Sequence, residues 1–288
     1  MSRWTVDEPT TLDFDGVVAL KAMLIAGSIS ILASDEAPSL QVSAVEGQPL
    51  LVTHEAGMLT VGHENLMWEG VLKWLRNMRC DAAVTVTVPR DCPVTINLVT
   101  ANAVVAGLSA RTSIKSGSGN ITLDGVTGKI DANTVAGVVE AQGLDGTVNF
   151  NSVSGDLALA GGSVQALTAS AVSGRITADV DLAADSRVRI STVSGEVALR
   201  LPRSTSAHVT LTAAAGRVDT SFPELRPQER AITKTLTGTL GAGAGRLAVN
   251  TISGGVALLS RPDHPDHPDP GSETGRDADA GVDKEDVQ

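Results

Sequence analysis

The 288-residue sequence predicts an all-β fold, a single-stranded β-helix-like solenoid with an N-terminal β cap bearing one short helix. Three observations predict it. Glycines recur nine residues apart through the middle of the chain, apolar and polar residues alternate after each glycine, and the apolar content is small and aliphatic.

The glycine period comes first, because a fixed repeat organises everything around it. SGNITL, TGKIDA, AGVVEA, DGTVNF and SGDLAL place glycines at Gly119, Gly128, Gly137, Gly146 and Gly155. SGRITA, SGEVAL, AGRVDT and SGGVAL continue the unit at Gly174, Gly195, Gly216 and Gly254. These nine are the turn glycines, expected to sit where φ is positive and a Cβ is costly. Nine residues hold a strand and a turn but no crossover helix. Two units therefore make one coil of roughly 18 to 21 residues. Gly119, Gly137, Gly155, Gly174, Gly195 and Gly216 are expected to stack along one edge, with Gly128 and Gly146 on the other. An antiparallel meander of nine-residue strands is the competing arrangement.

Around each glycine one rule holds. An apolar residue stands two before it, as at Val126, Val135, Leu144, Val153, Val172, Val193 and Ile252. A small or polar residue such as Ser154 or Ser194 stands one before, able to hydrogen-bond the turn's own backbone. Positions two and four after it are mostly apolar, for example Leu157 with Leu159 and Val197 with Leu199. That alternation marks a half-buried strand. Outward residues such as Asp156 and Glu196 are expected to tolerate substitution, while a charge at Leu157 or Val197 is expected to unfold the rod.

Composition agrees. Hydrophobic residues make up 42% of the chain while aromatics are 2% and tyrosine is absent, so Val, Leu, Ile and Ala must fill the interior.

The repeats are assigned to residues 99–260. Residues 1–98 read as the cap, with less regular strands at Val17–Leu24, Ser28–Ala33, Ser39–Ala44, Leu50–Thr53, Met58–Val61, Val84–Val88 and Val94–Val99. Near residues 64–79, Met67, Val71, Trp74, Leu75 and Met78 form a helical stripe. Residues 261–288 are rich in Pro, His and Asp and are expected to be a disordered acidic tail.

Function is approached by exclusion. A net charge of −11 disfavours nucleic acid. Asp124, Asp131, Asp145 and Asp156 lie near turns, but their offsets drift, which suits a solvated face better than a calcium cage. Gly243, Gly245 and Ala248 spell G-x-G-x-x-A, which needs a following helix that is not expected here. His54, His63 and His208 are isolated, and His264 and His267 lie in the tail. No G-x-S-x-G elbow occurs. Cys80 and Cys92 flank an extended stretch that holds them more than ~20 Å apart, so two reduced thiols are expected. No catalytic residue, cofactor or metal is therefore assigned, and the chain is not expected to be an enzyme.

The V-S-G units at Val153, Val172 and Val193, the T-V-P of Thr87–Pro89 and the closing T-I-S-G-x-V-x-L-L of Thr251–Leu259 resemble a bacterial putative-adhesin β-strand-repeat family, a domain of unknown function. The resemblance implies a β-helix-like fold and no catalytic residues. The expected function is an interaction or scaffold module for an unidentified protein partner. One alternative is an envelope-associated adhesion or stress-response protein docking on a membrane surface through the Trp68–Trp74 helix. The other is a polysaccharide hydrolase or lyase on a β-helix. The N-terminus has no apolar run, so a cytoplasmic location is expected, with envelope association as the alternative.

Overall fold

A computed structural model describes residues 2–63, 80–229 and 233–262. The helix expected near 64–79, with Trp68 and Trp74, and the tail from residue 263 lie outside the described residues. Among the described residues the chain forms 24 strands in one continuous sheet and no helix.

The sheet is wound into two facing walls, here face A and face B, with strands numbered in chain order. The regular layers pair one strand on each face. They are β9 (Val94–Leu98) with β10 (Asn102–Ala106), β11 (Thr112–Ser118) with β12 (Ile121–Asp124), and β13 (Thr127–Ala136) with β14 (Val138–Gln142). Next come β15 (Asp145–Ser152), β16 (Asp156–Ala171), β17 (Ile176–Thr192) and β18 (Val197–Pro202). The long strands β16 and β17 run along face B, round a corner through register shifts, and on along face A. Pairing from layer to layer is parallel, so the antiparallel meander is not what forms. Partners such as Thr112 and Ile130 are one 18-residue coil apart.

Both ends depart from sequence order. At the distal end β19 (Ala207–Ala213) and β20 (Val218–Thr220) form an outer layer. Strand β23 (Gly245–Thr251) then inserts between β17 and β19, and β24 (Val256–Arg261) between β18 and β20. The antiparallel β21 (Arg226–Glu229) and β22 (Lys234–Leu240) close face A. At the other end β3 (Ala19–Leu24) pairs in parallel with β9, and β4 (Ala26–Ala33) with β10. Parallel stacking therefore begins ahead of residue 99. The chain returns to add β7 (Met58–His63) beside β3 and β8 (Cys80–Val88) beside β4. Outside these lie β6 (Leu50–Glu55) and β5 (Ser39–Gly47), then β1 (Ser2–Val6) and β2 (Thr10–Asp13), all antiparallel.

The glycine order changes accordingly. Gly254, not Gly216, follows Gly195, and Gly216 ends the column. Each column glycine sits against the carbonyl of the one below, and a Cβ at Gly155 would lie 2.5 Å from the Gly137 oxygen. Close approach, rather than φ, is what Gly119, Gly155, Gly195, Gly216 and Gly254 share. Positive φ occurs at Gly128, Gly137, Gly146 and Gly174.

Between the walls lies one aliphatic core. Ile96, Ile114, Ala132, Phe150, Ala169, Ile190, Val249, Leu211 and Leu236 stack in register along face A. Phe150 is fully buried, and alanines on both adjoining layers make room for its ring. Arg261 anchors the inserted β24. Its Nε lies 2.9 Å from Asp179 Oδ1 and its Nη2 pairs with Asp181, reaching past β18 to β17.

Candidate functional site: an aliphatic edge

The two edges of the solenoid read alike in sequence and differ in space. Where face B turns into face A, G-V-T-G and G-L-D-G point Val126 and Leu144 inward, both buried. Where face A turns into face B, the units are T-V-A-G, S-V-S-G, A-V-S-G, T-V-S-G and T-I-S-G. There Val135, Val153, Val172, Val193 and Ile252 are each 43–57% exposed.

The residue three before the glycine decides the direction. At the second edge that residue turns inward, as buried Thr134, Ser152, Ala171, Thr192 and Thr251 do, and in three of the five units its hydroxyl closes the turn. Ser152 Oγ accepts from Gly155 N at 2.6 Å, Thr192 Oγ1 from Gly195 N at 2.9 Å, and Thr251 Oγ1 from Gly254 N at 3.0 Å. With that side chain inside, the next one must face water. At the first edge Gly125 and Gly143 occupy the equivalent place with positive φ, and the aliphatic residue that comes next turns in.

The serine beside the glycine serves the neighbouring layer instead of its own turn. Ser154 Oγ donates to Val135 O at 3.1 Å, Ser194 Oγ to Val172 O at 3.3 Å, and Ser253 Oγ to Val193 O at 3.2 Å. The sequence pattern assigns this serine to the turn, whereas the inward hydroxyl closes it. These bonds hold the exposed side chains in one straight rib. Five layers at ~4.8 Å spacing make it ~19 Å long.

Beside the rib runs a second column. Asn133, Asn151, Ser170, Ser191, Asn250 and Thr212 stand opposite one another on face A. Asn151 Nδ2 donates to Asn133 Oδ1 at 3.0 Å. Rib and amide–hydroxyl column enclose a shallow groove of ≈ 490 Å³, walled by Val172, Val193 and Ile252 on one side and Ser170, Ser191 and Asn250 on the other.

The remaining sequence candidates are dispersed. Asp145 Oδ1 accepts from Ser163 N and Asp156 Oδ1 from Arg175 N, both at 2.7 Å, so these acids cap corners one coil away. Asp131 pairs with Arg111 at 3.2 Å. Among the described residues no three His, Cys, Asp or Glu side chains gather as a metal site. Gly243 lies in the β22–β23 turn and Gly245 opens β23, so a strand follows and no helix. His208 Nδ1 lies 3.0 Å from Thr239 Oγ1. Cys80 and Cys92 are free and buried. Burial, then the negative charge of Asp91, pushes the Cys92 thiol up to about 11. Burial also lowers the pKa of His63.

A two-walled parallel β-solenoid with an outward aliphatic edge is a repeat scaffold, and its class is set by that winding. The profile of the Toastrack DUF4097 family, a domain of unknown function, matches residues 28–259, and the chain belongs to that family. A comparison with curated proteins finds no match. Similar solved structures come from bacteria. A putative adhesin from Bacteroides fragilis is 11% identical, covering 89% of this chain and 97% of that one, with a TM-score of 0.38. A putative lipid binding protein from Parabacteroides distasonis is 12% identical over 88% and 97%, TM-score 0.34. A putative cell adhesion protein from Clostridium sporogenes is 14% identical over 88% and 99%, TM-score 0.25. No helix among the described residues is long and apolar enough to cross a membrane.

Proposed function

We propose that this chain is a non-enzymatic interaction module that docks a protein partner along its aliphatic edge. One observation carries the reading. Five β-branched side chains face water in a row, where a threonine would serve the fold as well and keep the surface polar. Contiguous exposed apolar patches on soluble proteins mark binding surfaces more often than chance. The amide and hydroxyl column beside the rib supplies the polar border such a surface needs to orient its partner.

The test is site-specific photo-crosslinking in native extract, with the crosslinker at Val153, Val172 or Val193 and, as a control, at Thr177 on the outside of face B. The reading expects one protein captured from the rib positions alone. It also expects that purified protein to lose its binding to a Val153→Ser/Val172→Ser/Val193→Ser variant that melts like the parent. Equal capture from both surfaces, or undiminished binding by the folded triple variant, would overturn it.

A further inference from the structure

We propose that the outer surface of face A at the distal end is a docking site for an acidic segment, and that its occupant is this chain's own residues 263–288. The surface is a row of strands in register. Arg187 on β17 stands opposite Arg246 on β23, and Arg246 opposite His208 on β19. Two residues further along the same outward side, Arg189, Ala248, Thr210, Thr237 and Arg226 form the next column. All four arginines are exposed. Neither column contains an acid. Asp185, on the corner before Arg187, makes no ion pair with it among the described residues.

This arrangement needs an explanation in a chain of net charge −11. Arginines directly opposite each other on adjoining strands repel, so Arg187 and Arg246 destabilise the layer unless an anion lies over them. Arginine's planar fork is suited to carboxylates. Between its arginines the face carries the hydroxyls of Thr210 and Thr237 and the imidazole of His208, with no Phe, Tyr or Trp, so it offers hydrogen bonds to a polar chain and no extended stacking platform for bases.

The end of the fold points to the occupant. Arg261 is paired with Pro202, and Arg203 N donates to Arg261 O at 3.1 Å. The chain therefore leaves β24 at the corner where β18 passes to β19, beside the row of Arg187, Arg246 and His208. Each coil from β8 to β18 turns that corner onto face A, but β23 and β19 already fill the wall at this level. A chain taking the same route must lie over the outside. Residues 263–270 read D-H-P-D-H-P-D-P, with Asp263, Asp266 and Asp269 every third residue. Three is the polyproline II period, which would set these acids along one side, with Asp263 and Asp269 ~19 Å apart. Arg189 and Arg226 stand four strands apart, also ~19 Å.

The experiment uses the full chain. A nitroxide placed through Ser272→Cys is read by the broadening of backbone amide signals, with the parent chain as a control for labelling of Cys80 or Cys92. The proposal expects broadening at Arg187, Arg246, Thr210 and Thr237 and none on face B at Thr177 or Ala198. It expects that broadening to be lost at ~1 M salt, where the Debye length is ~3 Å, and in Arg187→Gln/Arg246→Gln, a surface variant that removes the opposed charges and is expected to melt at or above the parent temperature. Mixing isotope-labelled chain without nitroxide and unlabelled chain with it separates the sources. Broadening in that mixture would overturn the intramolecular assignment in favour of a second copy. Absent broadening, equal broadening of both faces, or broadening indifferent to the double substitution would overturn the docking site itself.

Discussion

Replacing Phe150 with alanine tests the packing most directly. Its ring is fully buried in the middle of the face A column, and its neighbours in the layers on either side are Ala132 and Ala169. Those alanines exist to admit the ring, so neither can fill the space it leaves, and the strands cannot close up while the parallel hydrogen bonds hold their spacing. The loss should therefore include both the transfer of the ring and a persistent cavity, ~3–5 kcal/mol. For a body of this size, that corresponds to a melting temperature lower by roughly 6–20 °C. Equilibrium urea unfolding with paired thermal scans measures it, and Phe150→Leu should recover about half. A cost below about 1 kcal/mol for Phe150→Ala would refute the picture of a dry, layer-matched interior.

Other expectations rest on single contacts. Gly195→Ala should destabilise markedly, since its Cβ would strike the Gly174 carbonyl, whereas Gly255→Ala, with open space around it, should be neutral or gain ~0.4–1 kcal/mol; comparative melting decides. Asp156→Ala should cost about 1–2 kcal/mol because the carboxylate accepts from Arg175 N, while Glu196→Ala, in an exposed pair with Arg175 at 3.6 Å, should change stability by less than ~0.5 kcal/mol. His63 is held neutral by burial, so its pKa lies below the unfolded value of ~6.5. The unfolded chain then binds the extra proton, and stability should be full above pH ~6.5 and fall below it. His63→Gln should flatten that slope in pH-dependent denaturation. Cys92, its pKa raised to about 11, should react with a thiol-specific reagent at pH 8 only as fast as the protein opens, which a stopped denaturant series would show.

Much of the winding was legible because glycine spacing measures the length of a coil. Layer order was not, since the interval from Gly216 to Gly254 counts residues and says nothing about whether the chain advances or returns. Close approach in the glycine column was also hidden, because a glycine required by a carbonyl one layer below looks the same as one required by φ. The aliphatic edge was present in the sequence but merged with its opposite, since Val126 and Val153 hold the same position relative to their glycines. The residue three before the glycine separates them, glycine for inward and a hydroxyl for most of the outward units, and this becomes evident only once the turns are seen. β1 and β2 escaped notice because Ser2–Val6 and Thr10–Asp13 are short and carry little alternation. Asp156 was misjudged as free because its partner, the Arg175 amide, is a full coil away.

The insertion of β23 and β24 between layers that precede them in the chain has a consequence for biosynthesis. A ribosome releases residues 187–220 before residues 245–261 exist, so the distal wall is made with a gap that only the final segment can close. Completion of this end must wait for β23 and β24, and a chain cut short near residue 240 should carry four unsatisfied strand borders, on β17, β18, β19 and β20, that the two inserted strands otherwise pair. The protein's own C-terminal segment thus acts as the keystone of its far end, and premature termination should yield an aggregating species instead of a shorter rod.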